Sequence, residues 1–267
     1  WHSNGQMRTQ INYVNGSAED GLQITWHNNG QKSSEIVTSR GVYEGVATAW
    51  HFDGQVSAKI QFKNGLRDGP ATLWFKNGNK RIVATYSKGD PIGKYSEWYS
   101  NGQLKMQSNH FRRESPARAT TWSQIQVECD YIFYHTELQR SKDGLSTEWY
   151  ENGRFKTEVT FDEGRKNGVE RKWFRSGAIS SRANYVAGWL EGEVSEWYEN
   201  GQLKSQTFYK NGRIEGTQNK WYTNGVLSFR GGYIRDNINQ TYPGLQDGIH
   251  IEWHENGAKK SFVTYLR

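Results

Sequence analysis

Regularly spaced aromatic residues and glycines, rather than long apolar runs, set the pattern along this chain. Tryptophan occurs at 1, 26, 50, 74, 98, 122, 149, 173, 197, 221 and 253, mostly 24 residues apart. Glycine stands five residues before nine of these, at Gly21, Gly45, Gly69, Gly93, Gly144, Gly168, Gly192, Gly216 and Gly248. Three residues after eight of the tryptophans comes Asn-Gly, as at Asn29-Gly30, Asn77-Gly78 and Asn200-Gly201, with Asp53-Gly54 and Ser176-Gly177 in the same slot. Asn-Gly between aromatic and β-branched residues is a hairpin signal, because a type I′ turn needs positive φ at both central positions. Each unit is therefore predicted to be a β-hairpin. Its second strand runs to an aromatic such as Phe62, Tyr86, Phe161, Tyr185 or Tyr209, and a glycine-bearing turn such as "KNGRIEG" leads into the next unit.

Connections this short make neighbouring strands antiparallel. The predicted fold is all-β: one repeat domain over residues 1–267, an elongated, solenoid-like meander of about ten to eleven hairpins and about 20 strands. A two-residue turn at Asn200-Gly201 sets Trp197 opposite Lys204 and Tyr198 opposite Leu203, on opposite faces of the sheet. The same arithmetic sets Trp98 on Lys105, Trp149 on Lys156, Trp253 on Lys260 and Trp74 on Arg81, each a cross-strand cation–π stack. Both faces are then half-apolar, so the sheet is expected to coil and shelter one aromatic column. The tryptophans 26, 50, 74, 98, 149, 173, 197, 221 and 253 (Trp26, Trp50, Trp74, Trp98, Trp149, Trp173, Trp197, Trp221, Trp253) are the expected repeat anchors.

Two stretches break the period. Residues 106–144 keep Trp122 in phase, lose the Asn-Gly turn and carry Ala117 in the glycine slot, which marks a degenerate repeat with an irregular insertion. Such a unit has either drifted or carries the specific contact. In the second case Arg112, Arg113 and Arg118 form a basic cluster suited to an acidic partner, with Tyr131, Tyr134 and His135 beside it. Residues 233–248 lengthen an inter-repeat loop by eight residues and set Tyr242 on its tip.

Composition narrows the possibilities. Only 34% of the 267 residues are hydrophobic and mean hydropathy is −0.93, which is poor material for the thick core of a compact enzyme. The 34 basic and 28 acidic residues are interspersed, so the net charge of +6 reads as a mixed solvated surface rather than a nucleic-acid footprint. Cys129 is alone, which excludes an internal disulfide. No run approaches the roughly 18 apolar residues of a membrane span. The chain opens on Trp1 in mid-repeat, so an upstream signal peptide or lipid anchor is expected to be missing, and a periplasmic or membrane-anchored location is favoured over the cytoplasm.

Candidate chemistry dissolves into the repeat. His2, His27, His51 and His254 share the slot after a tryptophan. Equivalent positions are roughly 9.6 Å apart, whereas ligands of one zinc lie within about 4 Å of each other, so these histidines are read as flat substitutes for Tyr and Phe. The acids Glu148 and Glu151, or Glu196 and Glu199, recur from unit to unit, as a solvated strand face does and a catalytic pair does not. No nucleophile, zinc-protease or phosphate-loop spacing is present, and Cys129 has only His110 and His135 as sequence neighbours. The expectation is a protein without catalytic, metal or cofactor residues.

The unit W-[YFH]-x-N-G-x-[LK]-K, an aromatic, then x-x-G-x-x-x-G, resembles the MORN-repeat variant family, most closely at "WYENGQLKSQTFYKNGRIEG" from Trp197, and extends over about nine-tenths of the chain. Bacterial chains made of such repeats are similar to YwqK-type antitoxins and to immunity proteins for secreted toxins or type VI effectors. The resemblance implies a non-enzymatic protein that blocks a cognate toxin by direct binding, as a monomer or an edge-paired dimer. The alternative it implies is a membrane-associated scaffold binding anionic lipid, as in eukaryotic relatives.

Overall fold

The computed structural model describes residues 1–11, 20–111, 141–234 and 245–266, and the backbone at 13–14 and 17–18. All regular structure among them is strand. Two compact units divide the chain, residues 1–143 and 144–267. The first contains β1 (Thr9–Gln10), the short pair β2 (Tyr13–Val14) and β3 (Ser17–Ala18), β4 (Gly21–Trp26), β5 (Lys32–Ser39), β6 (Val42–Trp50), β7 (Val56–Lys63), β8 (Leu66–Trp74), β9 (Lys80–Ser87), β10 (Asp90–Trp98) and β11 (Leu104–His110). The second contains β12 (Gly144–Trp149), β13 (Phe155–Asp162), β14 (Arg165–Lys166), β15 (Gly168–Trp173), β16 (Ile179–Val186), β17 (Trp189–Leu190), β18 (Gly192–Trp197), β19 (Leu203–Lys210), β20 (Arg213–Trp221), β21 (Leu227–Ile234), β22 (Leu245–Trp253) and β23 (Lys259–Tyr265). β1 pairs with β4, β2 and β3 form a separate pair, and the strands from β4 on run within each unit as the antiparallel meander that the repeat predicted, with short β14 and β17 pairing back on β13 and β16.

The turn chemistry is the reverse of the prediction. Only glycine is left-handed at the Asn-Gly turns: Gly201 has φ 84°, and Asn200 is not among the positive-φ residues. The Tyr198 amide donates to Gln202 O at 2.8 Å and the Gly201 amide to Tyr198 O at 2.9 Å. This is a three-residue loop, a tight turn closed by a left-handed glycine. The type I′ signature lies at the other end of each hairpin. Arg40-Gly41, Asn64-Gly65, Lys88-Gly89, Glu163-Gly164, Ala187-Gly188 and Asn211-Gly212 have positive φ at both positions, between directly paired residues such as Lys210 and Arg213.

The longer loop shifts the register. Trp197 faces Leu203, and Glu196 faces Ser205, so Lys204 is bulged out between them. Trp50, Trp98, Trp149, Trp173 and Trp221 likewise face Val56, Leu104, Phe155, Ile179 and Leu227. The expected Trp–Lys pairing is thus corrected to a mostly apolar one. Lys105, Lys156 and Lys260 instead reach the acid before each tryptophan, pairing with Glu97, Glu148 and Glu252 at 2.6, 3.3 and 3.2 Å. Lys105, Lys204 and Arg81 cover the rings that follow the tryptophans, at Tyr99, Tyr198 and Phe75.

The glycine five residues before each tryptophan bends its strand. Between Ala71 and Arg67 strand β8 advances four residues while β7 advances two from Ile60 to Phe62, and Gly69 in that bulge has φ 123°. A single sheet layer buries side chains only where it bends around them, and bulges supply such bends. In the first unit the enclosed face is Ala47, Ala49, Ala58, Ile60, Phe62, Ala71, Leu73, Ile82, Ala84, Tyr86 and Tyr95. The sheltered aromatic column is therefore the one that ends the second strands, with Phe62 fully buried, whereas the nine anchor tryptophans are half-buried. Half-burial of an indole stabilises by about 2 kcal/mol.

Hydrogen bonds clip neighbouring hairpins together at both ends. At the Asn-Gly end the asparagine Oδ1 accepts from the amide two residues on, while its Nδ2 donates to a turn carbonyl one repeat further, Asn200 to Thr223 O at 3.0 Å and Asn77 to Ser100 O at 2.7 Å. Where a tyrosine follows the tryptophan, its hydroxyl donates to the carbonyl of the next tryptophan, Tyr198 to Trp221 O and Tyr150 to Trp173 O, both at 2.8 Å. At the other end a turn glycine amide reaches back one repeat, Gly65 to Tyr43 O and Gly212 to Leu190 O.

Two substitutions probe this scheme. Asn200→Asp keeps the local acceptor and loses the donor to Thr223, so urea unfolding should show a loss of about 1 kcal/mol, and an unchanged midpoint would remove the clip from the account. Ala187→Asn, which places at this left-handed site the residue found at Asn64 and Asn211, should gain about 0.5–1 kcal/mol in the same assay.

Candidate interaction surface

The residue before each tryptophan and its cross-strand partners form one row across every unit. In the first unit the row reads Thr25, Ser34, Ala49, Ala58, Leu73, Ile82, Glu97, Met106, apolar through its middle. In the second it reads Glu148, Thr157, Lys172, Ser181, Glu196, Ser205, Lys220, Phe229, Glu252, Ser261. The same backbone thus carries a dry row in one unit and a row of alternating charge in the other. Glu148 and Glu196 belong to this row, whereas Glu151 and Glu199 lie in exposed turns.

Two residues before Lys172, in the slot that Ala47 and Ala71 fill in the first unit, stands Glu170, 4% exposed. Lys166 and Lys172 reach its carboxylate at 2.5 and 3.3 Å, and the Tyr185 hydroxyl donates to it at 3.4 Å. Burial, and secondarily the neighbouring carboxylate, push the Tyr185 hydroxyl above its usual pKa. Two lysines on one buried carboxylate satisfy it fully, so the cluster holds strands together rather than exposing a reactive group.

A second polar cluster closes the first unit. His110 is 5% exposed and bonds Ser108 Oγ through Nε2 and Ser141 Oγ through Nδ1, both at 2.8 Å, with Tyr95 edge-on to its ring. Burial, and then Lys142, lower its pKa to about 4. Both ring nitrogens are engaged by serine hydroxyls, which fixes the imidazole between Ser108 and Ser141. The histidine column is likewise structural. His2, His27 and His51 place Nε2 at 2.8, 3.0 and 3.1 Å from the carbonyls of Trp26, Trp50 and Trp74, the bond made elsewhere by tyrosine. They replace Tyr for that polar contact as well as for shape.

The predicted contact residues Arg112, Arg113, Arg118, Tyr131, Tyr134, His135 and Tyr242 lie outside the described residues. A residue that sequence reasoning passed over stands out instead. Trp189, the one tryptophan out of register, follows the Ala187-Gly188 turn and is 63% exposed. Its ring covers Gly212, where a Cβ would lie 2.6 Å from Trp189 Cε3, so that turn requires glycine. Its strand partner Val186 is 51% exposed, and the exposed Arg165 takes the equivalent place one repeat earlier, over Gly188. Its departure from the 24-residue phase was the available signal.

The fold and surface define a β-hairpin repeat protein. A family model described as MORN repeat variant matches residues 43–64, 91–111 and 190–211, three of the hairpins described above. MORN repeats are generally protein- or lipid-binding repeats. No curated protein matches the chain. Among solved structures, TcdB2-TccC3 and TcdB2-TccC3-Cdc42 are similar at 11% identity and a TM-score of 0.20, over 94% and 91% of this chain but only 15% and 14% of theirs. A likeness at that level carries no information on function.

His110 makes stability depend on pH. Its folded pKa lies below the unfolded value of 6.5, so its contribution is complete above pH 6.5, is lost between 6.5 and about 4, and changes no further below that. In urea titrations at pH 7 and pH 5, His110→Gln should show a smaller loss between the two pH values than the parent. An equal loss would contradict the buried neutral imidazole.

Proposed function

We propose that this chain is a non-enzymatic protein-binding repeat protein that acts as a bacterial immunity protein, neutralising a cognate toxin or secreted effector by direct contact. The observation that carries the binding reading is Trp189, held over a turn by a rigid ladder, largely exposed, with Val186 and Arg165 nearby. Exposed tryptophan with arginine is the composition of interface hot spots, where one residue contributes on the order of 2–4 kcal/mol. The toxin as partner rests on the resemblance to antitoxin chains of the same repeat. Its MORN repeats also leave an anionic lipid surface as the competing outcome.

The product of the neighbouring gene is to be expressed in bacteria with and without this protein. Growth rescue and co-purification are the expected result. Trp189→Ala should weaken the complex by roughly 30-fold or more while leaving the thermal midpoint within a few degrees. Neither rescue nor co-purification, together with salt-sensitive sedimentation on anionic liposomes, would replace this reading with the membrane scaffold.

A further inference from the structure

On the charged row of the second unit, strands β18 to β21 line a half-open surface cavity of about 440 Å³. That is the size of a small-ligand site rather than of a protein footprint. Glu196, Lys204 and Lys220 supply its charges, and Tyr198, Trp221 and Tyr222 its rings. Ser205, Thr207, Gln218 and Ser228 add hydroxyls and an amide.

The ion pair that other hairpins close is open here. Glu97 with Lys105, Glu148 with Lys156 and Glu252 with Lys260 occupy the positions of Glu196 with Lys204 and are joined within 3.3 Å. Glu196 instead accepts from Ser205 Oγ at 3.0 Å, and Lys204 lies over the Tyr198 ring at 6.0 Å. Lys220 similarly lies over Phe229. Two cations and one anion therefore border the cavity with net charge +1.

We propose that this cavity binds a sugar acid, a hydroxylated ring carrying one carboxylate, such as a uronic-acid residue of an acidic polysaccharide. The carboxylate lies between Lys204 and Lys220. Glu196 and Gln218 accept from ring hydroxyls, and the sugar face stacks on an aromatic ring. A single anionic group fits the net charge better than a bisphosphate would, because Glu196 repels further negative charge. A peptide fits less well for a backbone reason. Peptides add to sheet edges through main-chain hydrogen bonds, but β19 and β20 are paired on both sides, so the cavity offers side chains only.

Isothermal titration with tri-galacturonate, maltotriose and a tri-glutamate peptide tests this, with quenching of tryptophan fluorescence as a second readout. Tri-galacturonate should bind at least 10-fold more tightly than either comparison ligand. Lys220→Gln and Lys204→Gln should each lower its affinity about 10-fold, and Lys156→Gln, the equivalent lysine outside the cavity, should leave it unchanged. Circular dichroism confirms that the variants fold. No titration, equal binding of maltotriose or tri-glutamate, or undiminished binding by the Lys220 variant would overturn the proposal. The proposal does not depend on a protein partner, and Trp189→Ala should leave sugar binding intact.

Discussion

A hairpin that ends at its own turn leaves carbonyls with no partner in its own ladder, and this chain fills them from the neighbouring repeat. The tryptophan carbonyl receives His or Tyr, and the carbonyl two residues further on receives Asn Nδ2. A hydrogen bond of this kind is worth about 1 kcal/mol, so where both donors are present they hold a hairpin at one height relative to the next. Most of these bonds span 23 residues, but Tyr222 to Trp253 and Asn224 to Glu255 span 31 with unchanged partners. Ile234 and Leu245, on either side of the lengthened segment, are directly paired, so the ladder keeps its alignment there.

Because backbone and turn contacts hold the repeats, side chains between them are free to differ. The row before the tryptophans demonstrates this. Leu73 and Ile82 make it dry in the first unit, while Lys172, Glu196 and Lys220 make it charged in the second, in the same register. Each unit contributes a nearest-neighbour increment of stability, so losing apolar burial in a few repeats is tolerable where the clips persist. Glu170 shows the limit. Buried in a slot that holds alanine elsewhere, it persists with two lysines and a tyrosine around it, since an unpaired carboxylate there would be strongly destabilising.

The period, the hairpins and the antiparallel order were legible in the sequence, because Trp, Gly and Asn-Gly recur at fixed spacing. The turn types were not. Asn-Gly suits both a two-residue type I′ loop and a three-residue loop closed by glycine, and the choice here is tied to contacts beyond the hairpin: Asn200 uses Oδ1 locally and Nδ2 on the next repeat. Conversely, Lys88 and Ala187 carry no turn signal, yet the twist of the paired strands holds them left-handed. That single error shifted the register by one residue and moved the predicted lysine partners of the tryptophans onto the acids beside them. The Trp189 surface was legible in principle, since one tryptophan of twelve stands out of phase, but a search for agreement with the period discards such a residue.

In a repeat array, a residue that recurs in every unit answers to the scaffold, and one that departs while the clips stay intact is free to answer to something else. Trp189 departs by position: the ladder bond from Gly212 to Leu190 O is made as in other repeats, so the exposed indole is no product of local disorder in the stack. Glu196 and Lys204 depart by pairing: both residues are of the usual type, and the Tyr198 and Asn200 clips of that hairpin are in place, yet the ion pair is open. The two departures lie at different places on the repeat, one at a type I′ turn and one on the face beside an Asn-Gly loop. Contacts made at one of them therefore need no change at the other, because the hydrogen-bonded framework between them is already satisfied.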